Sequence, residues 1–316
     1  MSQEPTLSDI ERRIASASAE RRFPLVDLSK RDFCLADLTG YQRTGVLVVR
    51  GLVSARELQL LHAAARRLIQ RAWDSPGERD FVSATFDGQP RPIPYKIDYI
   101  LDKDPAFRVL AGHPRLLSIA AAIAGPGFIP TWETLVFKDQ LAGSRLPWHR
   151  DCAVYQSPVA VGGLGRLVDA GVYLDPSTPD NGLHCLPGSC YWPDDVAAAA
   201  ISVLNAEWDS YPGVAVVVEP GDVVLHNILT LHSAPGVQGQ ERRVIYYEYR
   251  PAELEIELGP HSGQYVAEKQ RVLRDCLAER KAAGLVPAEP AFGYDPPAEL
   301  QMAEGEAECG IPDLPF

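Results

Sequence analysis

No apolar stretch in the chain approaches the roughly 18–20 residues that a membrane-spanning helix needs. No Cys-x-x-Cys pair occurs among the six cysteines. The closest two, Cys185 and Cys190, are five positions apart, which argues against a zinc knuckle. The Gly-x-Ser-x-Gly elbow of a serine hydrolase is missing, and no internal repeat or low-complexity block is visible. The opening residues, Met1-Ser2-Gln3-Glu4-Pro5, lack the basic-then-apolar layout of a secretory leader, so reduced thiols and a cytoplasmic location are expected. Positive charge is scarce: 30 Lys and Arg against 42 Asp and Glu give a formal net charge of −12. That balance disfavours nucleic acid or an anionic membrane as the main partner and leaves a small molecule as the expected one.

Hydrophobic residues make up 46% of the 316 residues and charged residues 23%, enough for a packed globular core. Helical spacing is clear over Leu7–Ala19. It is clear again from the Ser54/Glu57 capping box to about Trp73, and from Pro114 to Gly125. Val46-Leu47-Val48-Val49 reads as a strand. After Gly125 the pattern changes. Phe128–Val136 is aromatic and β-branched, and short apolar runs follow at Leu167–Leu174, Leu183–Leu186, Val214–Val218, Val223–Leu225 and Val244–Tyr249, broken by Gly/Pro-rich turns. A helix over about Val266–Ala283 comes next. From Leu285 to Phe316 there are seven acidic residues and no Lys or Arg, which reads as a surface wrap or a disordered tail. The expected organisation is one domain over 1–316: a mainly helical part (1–127), a β-core (128–251), and a C-terminal helix with the acidic tail (252–316).

The chemistry concentrates in two segments. In Leu146-Pro147-Trp148-His149-Arg150-Asp151, His149 and Asp151 stand two apart, so on a strand both project from one face. Gly221–His232 is a turn and strand carrying His226 and ending in His232, and Arg242-Arg243 opens the next strand. Two imidazoles and one carboxylate on a β-core are the facial set that holds non-haem Fe(II) with positions left open. A guanidinium one strand further on can clamp a carboxylate bidentately. Only one of Arg242 and Arg243 can point inward.

At these residues the chain resembles the phytanoyl-CoA dioxygenase-like family of Fe(II)/2-oxoglutarate oxygenases. The matching stretches run in order over about Thr131–Pro251: Phe137-Lys138, Trp148-His149-Arg150-Asp151, Asp180-Asn181-Gly182, Leu186-Pro187-Gly188-Ser189, Gly221-Asp222 with His226 and His232, and Arg243. The resemblance implies a double-stranded β-helix, a distorted cupin-like jelly roll, with helices flanking it. It also implies Fe(II), 2-oxoglutarate and O2 as cofactor and cosubstrates. His149, Asp151 and His232 match the iron ligands. Arg243, eleven residues after His232, sits at the family's usual offset for the arginine on the distal carboxylate of 2-oxoglutarate, which makes Arg242 the neighbour to exclude. Lys138 matches a basic residue that assists the cosubstrate, with Thr134 on the same strand face and Trp132 looking toward the substrate. His226 is the rival distal ligand, read instead as a residue behind the ligands or beside the substrate. Lys96 is a further pocket candidate, against the plainer reading of a solvated loop lysine.

Three departures stand out. Cys190 replaces a histidine common in relatives, Gly171 falls where some carry an aromatic residue, and Ala234 stands where a hydroxyl is frequent. The implied reaction couples oxidative decarboxylation of 2-oxoglutarate to attack on a C–H bond. Asp151 disfavours halogenation, because halide-transferring relatives carry a small residue at that position. Hydroxylation, desaturation or oxidative ring closure remain, with bacterial antibiotic or other natural-product biosynthesis, on an amino-sugar or terpenoid-like compound, as the expected setting. The rival class is a metal-binding jelly-roll module without turnover.

Overall fold

The computed structural model describes residues 6–85, 91–138, 145–151, 166–211, 213–236, 241–258, 263–286 and 289–300. Most of the acidic tail, with Cys309, and also Cys152 lie outside them. In chain order the elements are α1 (Leu7–Ser18), β1 (Leu25–Asp27), α2 (Leu35–Thr44), β2 (Val46–Arg50), α3 (Ala55–Asp74), β3 (Phe81–Ala84), β4 (Ile93–Asp98), α4 (Pro105–Ala111), α5 (Pro114–Ala124) and β5 (Phe128–Lys138). Then follow β6 (Leu146–His149), β7 (Val168–Tyr173), β8 (His184–Cys185), α6 (Asp194–Ala206), β9 (Val214–Ala215), β10 (Val223–His226), β11 (His232–Ala234), β12 (Arg242–Pro251), α7 (Ala252–Leu258) and α8 (Gly263–Ala283).

Two sheets face each other. The larger has eight strands in the order β1-β2-β10-β7-β12-β5-β4-β3, and the smaller has four, β6-β11-β8-β9. Non-sequential neighbours of this kind are the crossovers of a jelly roll, and the expected double-stranded β-helix with flanking helices is what the chain forms. The interior between the sheets is lined by Val46, Val48, Tyr173, Leu183, Val224 and Val244. The outer face of the large sheet, with Leu47, Val49, Ile245 and Tyr247, is covered by α3, α4, α5 and α8. The small sheet is backed by α1 and α6, which bury Trp148, Leu186 and Leu231 against Ile10, Ile14 and Leu204. Val46-Leu47-Val48-Val49 is continuously apolar because β2 is covered on both faces.

The first 127 residues supply more than helices. They give four strands: β2 pairs with β10, and β4 carries the sheet outward from β5. β3 and β4 lack a clear apolar alternation, and Pro94 sits in β4 beside a register shift, so neither reads as a strand locally. At the other end, Tyr294 Oη donates to Phe128 O (2.6 Å) and Arg280 pairs with Glu289, so the described part of the C-terminal segment is fastened to the sheet and α8.

Candidate metal centre

β6 and β11 are edge-to-edge neighbours with His149 opposite His232. On β6 the Trp148-His149 dipeptide splits between faces. Trp148 is buried under α6, whose Asn205 bonds both its backbone N–H and C=O, and His149 turns to the interior. Asp151 follows, its backbone N–H donating to Ile228 O (3.0 Å). One ligand atom from each of His149, Asp151 and His232 falls within 4.8 Å of the others. Asp151 Oδ1 lies 3.4 Å from His149 Nε2 and 3.5 Å from His232 Nε2. An ion with bonds of about 2.1 Å at right angles separates such donors by about 3 Å, so the set is close to a ligating arrangement. Side-chain exposures of 33% for His149, 31% for Asp151 and 5% for His232 leave the centre open on one side only.

The protonation states fit a metal. His149 Nδ1 faces Pro147 O at 2.8 Å and His232 Nδ1 faces Thr230 O at 2.9 Å. A carbonyl only accepts, so Nδ1 carries a proton in each ring and Nε2 is the atom turned to the centre; burial lowers the His149 imidazole but the Asp151 carboxylate more than offsets it, so a metal binding there displaces a proton. Burial drives the His232 imidazole down to about 3, which keeps it neutral. Burial alone would raise the Asp151 carboxyl, but the surrounding imidazoles of His232, His149 and His226 hold it well below the usual carboxylate range. The donor set of two imidazoles and one carboxylate suits Fe(II).

His226 and His232 do not share one strand face. β10 ends at His226, a turn held by Thr230 N donating to Asn227 O (2.8 Å) follows, and β11 begins at His232 in the other sheet. His226 Nε2 meets the second oxygen of Asp151, Oδ2, at 3.2 Å. Asp169, opposite His226 on β7, completes a second cluster with Asp151 and His226, and burial raises its carboxyl to about 8. Sequence reading missed Asp169, whose only signal was a carboxylate in the apolar run Leu167–Leu174.

Arg243 does not share the interior face with the metal cluster. Its guanidinium and backbone N–H are bound to Asp175, with Nε and Nη2 donating at 2.8 and 2.7 Å, on the face that β12 shares with Ile245 and Tyr247. Arg242 shares its face with Val244 and Tyr246 and points into the interior. It is 3% exposed, its Nε and Nη1 have no hydrogen-bond partner, and no carboxylate among the described residues pairs with it. Lys138 stands directly opposite on β5, its Nζ donating to Pro235 O (2.9 Å), and burial, reinforced by Arg242, lowers its ammonium to about 7. Two inward cations side by side form a site for an anion. Thr134 lies on the same face, opposite Tyr246.

Further along that face, Trp132 Nε1 donates to Asp98 Oδ1 (3.1 Å) and Lys96 Nζ pairs with Asp98 (3.2 Å) while lying over the Trp132 ring. Lys96 is therefore a strand residue engaged at the interior, not a solvated loop lysine. At Gly171, a Cβ would come within 2.7 Å of Tyr246 Cε1, so the Tyr246 ring occupies the space where relatives carry their aromatic residue. The turn motifs are scaffold. Ser189 Oγ accepts from Leu231 N (2.8 Å) just before His232, and Asp222 carboxylate oxygens accept from Glu219 N and Gly51 N. Cys190 is buried among Ile228, Leu229 and Leu254.

The family model for phytanoyl-CoA dioxygenase matches residues 41–245. The chain belongs to that family, whose members are non-haem iron, 2-oxoglutarate-dependent oxygenases using Fe(II), 2-oxoglutarate and O2. Among solved structures it is similar to AviO1 from Streptomyces viridochromogenes Tue57 (30% identity, 68% of this chain and 93% of that one, TM-score 0.57). It is also similar to EvdMO1 (29%, 68% and 49%, TM-score 0.56). The non-heme alpha ketoglutarate dependent carbocyclase SnoK from nogalamycin biosynthesis shares the fold (19%, 70% and 85%, TM-score 0.54). A search of curated protein sequences finds no match. No helix among the described residues is long and apolar enough to cross a membrane.

Proposed function

We propose that His149, Asp151 and His232 hold Fe(II), that Arg242 with Lys138 and Thr134 receives 2-oxoglutarate, and that the enzyme oxidises a C–H bond of a small natural product. The observation that carries this reading is the pairing of a two-imidazole, one-carboxylate cluster with a buried arginine on the same interior whose Nε and Nη1 have no partner among the described residues. When bound, the metal supplies the open positions at which 2-oxoglutarate and O2 are activated. The chain's own part is positional. Arg242 takes the distal carboxylate of the cosubstrate in charge-assisted hydrogen bonds, and Thr134 faces the same space. Trp132, Lys96 and Asp98 form the polar and aromatic wall that meets the substrate, and His226 backs the carboxylate ligand. The buried Val244 and Tyr173 keep water from the reacting centre.

The nogalamycin biosynthesis in which SnoK acts supports natural-product tailoring, and the acidic groups Asp98, Asp169 and Glu248 on the interior side favour a neutral or cationic substrate over an anionic one. Anaerobically loaded Fe(II) protein mixed with 2-oxoglutarate and O2 is expected to release succinate slowly even without substrate. Chelation should abolish this and Fe(II) should restore it. A protein that binds Fe(II) yet never forms succinate with any candidate substrate is a non-catalytic module.

Lys138 gives a pH-dependent prediction. With its ammonium lowered to about 7, it is mostly neutral at pH 8 in the free protein. A carboxylate placed beside it raises that value, so cosubstrate binding at pH 8 should take up a proton, with a limit of about one. Calorimetry of 2-oxoglutarate binding in buffers of different ionisation enthalpy should show the uptake, and Lys138→Met should remove it.

A further inference from the structure

Asp151 has two oxygens with different surroundings. Oδ1 faces both triad imidazoles at 3.4 and 3.5 Å, whereas Oδ2, among the described residues, meets His226 Nε2 at 3.2 Å. An ionised carboxylate has no proton to give, so the bond is a donation from His226 Nε2–H to Oδ2. The other ring nitrogen, Nδ1, has no partner among the described residues. His226 itself is 2% exposed and cannot swing aside. Its backbone is locked in β10 between Val46 and Asp169, and its ring lies edge-on to His232 and to Tyr246, with centroids 5.1 and 6.3 Å away.

We infer that His226 is a positioning residue for the metal-binding carboxylate: by holding Oδ2 it presents Oδ1 alone to the centre and keeps Asp151 a one-oxygen ligand. The assignment rests on the metal reading above and deepens it. It also explains the spacing of the second histidine segment. The stretch from His226 to His232 carries a ligand at one end and the donor that aims another ligand at the other. Between them, Ile228 O accepts from the Asp151 backbone N–H (3.0 Å). The turn is anchored independently, by Asn227 N donating to Gly45 O (2.8 Å) and Leu229 N to Asn227 Oδ1 (2.9 Å). Asp151 is thus gripped at its backbone and its carboxylate by the segment that delivers His232. A ligand oriented in this way leaves adjacent positions free for a chelating cosubstrate, and loss of such an outer hydrogen bond typically weakens metal binding 10–100-fold.

The test is anaerobic titration with Fe(II), and with Co(II) for its visible spectrum, of wild type, His226→Gln, His226→Asn and Asp151→Ala, each checked for folding by circular dichroism. A glutamine amide reaches about as far as Nε2 and retains the donor, whereas an asparagine amide stops near Nδ1 while preserving polarity. His226→Asn is expected to bind Fe(II) about 10–100-fold more weakly with an altered Co(II) spectrum, and His226→Gln to restore both to near wild type. Wild-type affinity and spectrum in His226→Asn overturn the inference, and so does equal loss in both variants, which would mark His226 as a ligand or a purely structural residue. The metal reading fails separately, if Asp151→Ala binds Fe(II) as wild type does.

Discussion

Replacing Arg242 with Met is expected to raise the 2-oxoglutarate concentration for half-maximal succinate formation by about 100-fold, whereas Arg243→Met should change it less than about threefold. The expectation follows from what each guanidinium already touches. Arg243 is satisfied within the fold, bidentate on Asp175 through Nε and Nη2, and has nothing left to offer an interior anion. Arg242 is almost fully buried with Nε and Nη1 unpaired. An arginine cannot shed its charge, and no carboxylate among the described residues pairs with Arg242, so an anionic ligand would supply the counter-ion. Hydrogen bonds to charged groups contribute roughly 1.5–3 kcal/mol each, so losing a two-pronged contact costs about 3 kcal/mol or more, or about 100-fold. Arg243→Met should show itself elsewhere. It strands the half-buried Asp175 and should lower thermal stability, by about 1–3 kcal/mol. Succinate formation against cosubstrate concentration, with melting curves beside it, separates the two. A large cosubstrate effect from Arg243→Met with none from Arg242→Met would return the clamp to Arg243.

The arginine pair shows where sequence reading stops. Strand alternation says that only one of Arg242 and Arg243 points inward, and it says so correctly. Choosing between them needs the parity of β12, which is set by its pairing with β5 and β7, at Val244 against Val136 and Tyr173. Counting from His232 crosses a loop, and loop length is not tied to strand parity, so an offset carried from relatives does not say which of the two faces inward. The His149/Asp151 pair and His232 were legible because local chemistry and ordered motifs coincide there. α3 was legible because its amphipathic periodicity is local, and α8 because a long helix-forming run ends at Gly284. β3 and β4 were not, since they are held as strands by β5. Nor was α6, whose Ala-rich run carries little amphipathic contrast. Asp169 escaped notice because its meaning lies in facing His226 across two strands, a fact of register.

Asp151→Ala should have the largest effect of any single change at the centre, abolishing Fe(II)-dependent turnover and reducing Fe(II) affinity by several orders of magnitude. Without it, His149 and His232 offer two imidazole donors and no negative charge to a divalent cation, and His226 Nε2 loses the carboxylate oxygen it holds, while the backbone bond from residue 151 to Ile228 O remains. The loss can be read without turnover. A ligand that binds only the folded state stabilises it by RT ln(1 + [L]/Kd), about 2.7 kcal/mol at a hundredfold excess over Kd. Wild type should therefore melt several degrees higher with saturating Mn(II) or Co(II) than without, and Asp151→Ala should melt at the same temperature either way. The metal-free variant should remain folded, because the interior core of Val46, Val48, Val224 and Val244 does not touch the substitution. A metal-dependent rise in melting temperature that survives Asp151→Ala would place the ion elsewhere and leave the three converging side chains as a hydrogen-bonded cluster.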